Sequence, residues 1–533
     1  MKKLTAITVL LVVAMFAFAA CNRTADQPAP GTGDQGGQQA QGGQAAQGGQ
    51  EATAGGTVYV LMPSLPTTLD PVGPNIQPAS QVNVQIYETL FVQVGSEAVI
   101  TPLLAESYSF DNPAALRIQL RQGVYFHNGE RFTAEDAAFS IMRSVESPHS
   151  RAMIDMVSSV DVIGEYEIVV NTYFPFAPII SHLTHPAISM VSRAAVEHYG
   201  EDDFGANPVG SGPFRFVNHA AGDRIELTRF DGYWGAAPAY ENLTFRMVPE
   251  AANRLIEVQT GHAHIAYGIS ATDVPVAEGD ARVNLVRQQT FSLTYLGFNT
   301  TKAPFDDVRV RQAIAYAIDL PTIIDAVWLG VGAPGSTVIA ETVWSSHPGI
   351  DMRQQNLDRA RELLAEAGHP NGFDSILWTN TGNAQRADLV EILGAQLRQV
   401  GINVTIELLE FNIFTERMES PDHHEMFVIA WGTVTNDPDY GMFNLFHSSA
   451  FGAAGNRMFY ANPTVDALLE EGRMETNEAR RLQIYHEIQE ILFEELPWIS
   501  IWQGEDLFVT AVGVEGFVAL PAGHHRLASV ILP

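Results

Sequence analysis

Alternation of apolar and polar residues marks strands at 57–61 (TVYVL), 116–121 (LRIQLR), 224–230 (RIELTRF) and 243–248 (LTFRMV). Two further strands are expected at 403–411 (NVTIELLEF) and over MFVIAW, which begins at Met426. Helical periodicity is clearest at 306–319, where Val310, Ala313, Ile314, Ala317 and Ile318 make one apolar face. Asp306 or Asp307 caps that helix. Three more helices are expected: 357–368, ended by Gly368 and Pro370; 387–401, ended by Gly401; and 477–497. Strands interleaved with helices between about 356 and 432 predict a mixed α/β architecture with more than one lobe.

One apolar stretch has neither period. Lys2 and Lys3 precede LTAITVLLVVAMFAFAA, which ends at Cys21, the single cysteine of the chain. Ala19 and Ala20 directly before a cysteine resemble a bacterial lipobox, although Phe18 stands where leucine is usual. The expectation is a leader over 1–20 and a lipid on Cys21; an uncut membrane anchor is the competing reading. Residues 22–55 are Gly, Gln and Ala with almost nothing to bury, so 21–55 reads as a lipidated, flexible tether. Such a tether reaches on the order of 30 Å from the membrane. With Cys21 acylated, no disulfide is available to the exported part.

The remainder is too long for one core. Its charge changes the picture by exclusion. The net formal charge is −31, and Lys2, Lys3 and Lys302 are the only lysines. That balance argues against nucleic acid and against an anionic membrane surface as partners.

Three short motifs invite chemical readings. GVGAPG (330–335) matches a dinucleotide-binding glycine pattern, but it follows the helical TIIDAVWL and Pro334 interrupts it, so it reads as a loop. VGSGP around Ser211 lacks the first glycine of a nucleophile elbow, since Val209 holds that position. The histidine sets His262/His264, His423/His424 and His524/His525 have no metal-finger or zincin spacing, and no metal or cofactor is expected. Asp437 and Asp439 are the best carboxylate pair for an enzyme. Alternate positions of an extended chain point opposite ways, so the protein is not expected to be an enzyme.

Four blocks carry a resemblance. They are residues 103–143 (LLAESYSFDNPAALRIQLRQGVYFHNGERFTAEDAAFSIMR), 210–235 (GSGPFRFVNHAAGDRIELTRFDGYWG), 295–319 (YLGFNTTKAPFDDVRVRQAIAYAID) and 455–473 (GNRMFYANPTVDALLEEGR). In this order they resemble the family 5 extracellular solute-binding proteins, the peptide- and nickel-binding lipoproteins of ABC importers. Within the first block Thr133 reads as an N-cap with Asp136 as its capping-box partner. Gly210 and Gly212 read as a bend where the chain crosses between lobes.

The resemblance implies a periplasmic-binding-protein-like α/β fold of type II, in its large variant, with two lobes closing on a cleft. The first lobe would comprise 56–300 and 503–533, with an extra subdomain at about 98–211; the second would comprise 301–502. It implies a monomer outside the cytoplasm that captures a peptide, oligopeptide or glutathione-like, and delivers it to permease subunits in the membrane. Other solutes (nickel chelate, oligosaccharide, opine) and a role as a peptide-signal receptor stay open.

For the site, the matching segment is AWGTVTNDPDYG (430–441). The dipeptide-binding pattern puts its amine-pairing acid at Val434, whereas another branch carries an acid at Asp437. Asp437 is therefore either the ligand-facing acid, with Asn436 and Asp439 beside it, or a cap of the next turn. The arginine that clamps the ligand carboxylate in the dipeptide branch falls at Asn380, so that clamp is expected to be missing, with Arg457 as a substitute. Trp431, Tyr295, Phe291 and Tyr267 are cleft-wall candidates, with core packing as the alternative.

Overall fold

The computed structural model describes residues 55–351 and 353–533. The leader, Cys21 and all of the tether except Gly55 lie outside the described residues. Among the described residues, no helix is long and apolar enough to cross a membrane.

Each alternating stretch becomes a strand close to its expected bounds: Thr57–Met62, Ala115–Leu120, Arg224–Arg229, Asn242–Met247, Ile402–Leu409 and Met426–Gly432. The helices form at Val308–Ala317, Leu357–Glu366, Ala384–Arg398 and Glu478–Glu495. Asp307, rather than Asp306, caps the first, its carboxylate accepting from the Arg309 N–H. The capping box of Thr133 and Asp136 is present at the start of Ala134–Glu146. Residues 333–334 of the glycine-rich motif pair as a short strand with Trp498–Ala511, a context unlike a dinucleotide loop.

Eleven strands make one sheet. Its centre is a pair of long antiparallel strands, Val283–Phe298 and Trp498–Ala511, with smaller strand sets on either side. Toward one edge lie Met426–Gly432, Phe373–Asn380 and Ile402–Leu409; toward the other lie Ile265–Tyr267, Thr57–Met62 and Asn242–Met247. The long strands change register between Gln289 and Leu293 and again between Thr294 and Tyr295. Such a break increases twist and re-aims side chains.

Neighbouring residues of the long strand feed different cores. Leu296 packs with Ile314, Leu393 and Val428, whereas Tyr295 packs with Phe427, Tyr485 and Trp498. Beyond the register change, a separate core gathers Val60, Phe214, Phe245 and Ile265. A four-stranded sheet, Ala105–Asn112, Ala115–Leu120, Glu167–Thr172 and Val157–Gly164, has its own core of Leu116, Ile118, Phe126 and Ile141.

Gly210 and Gly212 answer to contact more than to bending. A Cβ at either position would overlap the backbone carbonyls at the end of the helix Gln77–Ile86. Gly210→Ala is expected to lower stability by about 1–3 kcal/mol, read from a shifted urea midpoint at constant slope.

Candidate functional site

A deep cleft opens where the long strands change register. It consists of two hollows of about 470 and 640 Å³ that share Ser292, Trp502, Glu505 and Asp506. These volumes fall in the usual range of small-molecule sites. Close approach of the strands requires Gly504, whose Cβ would come within 2.8 Å of Thr290 Oγ1.

Adjacent acids on the cleft wall have different fates. Glu505 is held by Arg287 through two hydrogen bonds of 2.9 and 2.8 Å and accepts from the Gly332 N–H at 2.9 Å. Asp506 forms no ion pair among the described residues, and the Gln77 side-chain amide is its hydrogen-bond donor. Burial pushes its carboxyl up to about 6, with the Gln77 hydrogen bond opposing weakly.

The opposite pole is Arg386, in the first turn of the helix Ala384–Arg398. The Asn383 side chain accepts from the Arg386 N–H at 2.9 Å, and Arg386 Nη1 donates to Asn380 Oδ1 at 2.6 Å. Arg386 lines the larger hollow together with Asp506 and, like it, has no ion-pair partner among the described residues. Burial lowers its pKa, yet a guanidinium stays protonated. One cavity thus holds one uncompensated anion and one uncompensated cation.

The expected acids are engaged elsewhere, which corrects their assignment. Asp437 is 4% exposed and makes a bidentate pair with Arg481, both contacts 2.6 Å. It also accepts from the Asp439 N–H at 3.0 Å and caps Pro438–Phe446, so the capping alternative is the one realised. Burial alone would raise its carboxyl, but the Arg481 charge and hydrogen bonds hold it below the ordinary carboxylate value. Asp439 is bound in the same way by Arg473, at 3.0 Å twice. Asn436 is buried in a left-handed conformation, φ 56°, accepting from the Trp344 N–H and donating to the Ala98 carbonyl.

Of the aromatic candidates, Phe291 lines the smaller hollow. Trp431 lies against Tyr440, a lining residue, with ring centroids 5.4 Å apart and the planes tilted by 33°. Tyr295 and Tyr267 are core residues instead: Tyr295 lies 3.7 Å from the Trp498 ring, and Tyr267 sits among Phe508, Phe517 and His525. Arg457 is half-buried and is not among the lining residues; its carbonyl contacts His424 Nε2 at 2.8 Å. Val434, the position of the dipeptide-branch acid, does line the smaller hollow.

The histidine sets scatter. His264 Nδ1 accepts from the Tyr59 N–H, His525 Nδ1 accepts from the Leu520 N–H, and only His524 reaches the cleft. It meets His185 there edge to face at 5.4 Å. Among the described residues, no group of three or more His, Cys, Asp or Glu side chains could hold a metal ion.

Arg386 and Asp506 escaped sequence reasoning, although each left a trace. A cation in the first turn of a helix opposes the helix dipole, which is a reason to suspect a role outside the helix. An aspartate at the head of DLFVTA, where all but Thr510 of the following residues are apolar, is a comparable anomaly.

Known proteins resemble this chain over most of its length. The glutathione-binding protein GsiB of Pectobacterium atrosepticum is 29% identical over 469 residues, which cover 85% of this chain and 90% of that protein. The structure of HbpA2 from Haemophilus parasuis superposes with a TM-score of 0.84 at 24% identity, over 90% of this chain and all of that one. The ABC transporter-associated periplasmic binding protein DppA from Helicobacter pylori, in complex with the peptide STSA, superposes with a TM-score of 0.75 at 24% identity, over 91% and 99% of the two chains. These likenesses establish the two-lobed periplasmic-binding fold that the four sequence blocks imply. Since the model of the bacterial extracellular solute-binding proteins, family 5, matches residues 99–453, the chain belongs to that family.

Proposed function

We propose that the cleft captures short peptides with free amino and carboxyl ends, and that the protein delivers them to the permease of an ABC importer. The observation that carries this reading is the pair of uncompensated charges, Asp506 and Arg386, in one cavity. A zwitterionic ligand supplies the missing partner to each, ammonium to Asp506 and carboxylate to Arg386. Support also comes from the relatives, one named for glutathione binding and one complexed with a peptide.

In this reading 56–300 with 503–533 moves as one lobe and 301–502 as the other, and ligand bridging favours the closed state. A lipid on Cys21 holds the monomer at a membrane while the tether lets it swing. No chemical step is assigned: Asp437 and Asp439 are occupied by arginines, and Glu505 on the cleft wall is held by Arg287.

The test is calorimetric titration with di- and tripeptides and their N-acetylated forms. Acetylation should weaken binding by more than tenfold. Because the free protein holds the Asp506 carboxyl near pH 6, affinity for the unmodified peptides should fall about tenfold between pH 7.5 and pH 5 as the carboxylate takes up a proton. Asp506→Asn should flatten that profile. Equal affinity for free and acetylated peptides would remove the peptide reading.

A further inference from the structure

The smaller hollow opens where two apolar cores face each other across a gap. Met153, Val434 and Tyr440 belong with the core of the four-stranded sheet, and Phe291 and Ala522 with the core that holds Tyr295 and Trp498. Met153, Phe291 and Ala522 are buried residues, yet each contributes to the wall of the hollow. Apolar wall left facing water gains free energy when an apolar group covers it.

The charges on these walls are of one sign. No lysine or arginine lines the smaller hollow, and its basic groups are His185 and His524. Burial pushes both imidazoles down, His524 to about 3, so both are neutral near pH 7. The acids are Glu505 and Asp506. Glu505 is spent on Arg287 and the Gly332 N–H, which leaves Asp506 for the ligand ammonium. A carboxylate entering the hollow meets two anions and no cation. An ammonium on a side chain finds no second free acid, and either charge loses its water.

Asp506 lines both hollows, whereas Arg386 lines only the larger. A ligand with its ammonium at Asp506 and its carboxylate at Arg386 therefore runs its backbone into the larger hollow. The amino-terminal side chain, which leaves the same carbon as the ammonium, then has the smaller hollow beside it. At about 470 Å³ that hollow has room for any natural side chain.

We infer that the smaller hollow selects the amino-terminal side chain, so that the favoured ligands are short peptides whose first residue is large and uncharged. This rests on the peptide reading of the cleft and adds a specificity to it.

The experiment is titration of the full chain at pH 7.5 with Met-Ala, Glu-Ala, Lys-Ala and Ala-Ala. The first three have unbranched first side chains of similar length and differ mainly in charge; the fourth removes the side chain's bulk. The wild-type protein should bind Met-Ala at least tenfold more tightly than each of the others. Val434→Lys, which puts a cation on the wall, should raise the affinity for Glu-Ala relative to Met-Ala by at least tenfold. Wild-type affinities within threefold of one another overturn the inference and leave the peptide reading standing, and this arm does not depend on a variant folding. A relative affinity that Val434→Lys leaves unmoved places the side chain outside this hollow and also overturns the inference. Binding of none of the four peptides removes the peptide reading and the inference together.

Discussion

Asp437→Ala is expected to destabilise the protein by about 3–5 kcal/mol, because it leaves Arg481 buried without its counter-charge. Arg481 is as enclosed as its partner and donates to both Asp437 oxygens, to the Gly472 carbonyl and to the Tyr485 hydroxyl. The substitution also removes the cap of Pro438–Phe446, worth about 1 kcal/mol. Urea unfolding should show a lower midpoint with an unchanged slope. Replacing both partners, Asp437→Leu with Arg481→Met, should recover most of the loss, since the penalty lies in the orphaned charge. The sign with pH follows from the depressed Asp437 carboxyl. Its contribution is fully present above the unfolded value of about 3.9 and disappears as pH falls through the lower folded value. A folded Asp437→Asn protein of wild-type stability that has lost peptide binding would return Asp437 to the ligand.

The segment around Asp437 shows where sequence reading stopped. Its strand, its turn and its candidate cap were all legible, because these depend on residues a few positions apart. Its partners were not: Arg481 is 44 positions away and Arg473 lies 34 from Asp439, on separate helices. An acid that is free and an acid that is ion-paired look the same in a chain. The same holds for the long strands. Residues 293–298 are buried on both faces, so they show no alternation, and the crossing that builds the cleft had no periodic signature. The four family blocks implied the fold because they contain mainly local instructions, such as the Thr133–Asp136 capping box. Cleft residues come from positions such as Gln77, Arg386 and Asp506, and only the folded sheet brings them together.

Arg386→Met should weaken peptides with a free carboxyl end by about 100-fold, or about 3 kcal/mol. The dipeptide-branch clamp falls at Asn380 and is expected to be missing; in the proposed reading Arg386, six positions on, takes that role, and the two residues touch: Arg386 Nη1 donates to Asn380 Oδ1. That bond aims a guanidinium into the hollow and leaves its other donors for a ligand. The decisive comparison is with C-terminally amidated peptides. They lack the carboxylate, so the wild-type protein should bind them weakly and Arg386→Met should bind them no worse. The interaction energy between the side chain and the ligand carboxylate then follows from the four affinities as a double-variant cycle. Stability of the ligand-free protein should change by less than about 1 kcal/mol, or rise, because no anion of the protein loses a partner. A residue that merely supported the helix would behave oppositely, lowering the unfolding midpoint and weakening free and amidated peptides alike. Equal losses for both ligands would therefore reassign Arg386 from the ligand to the fold.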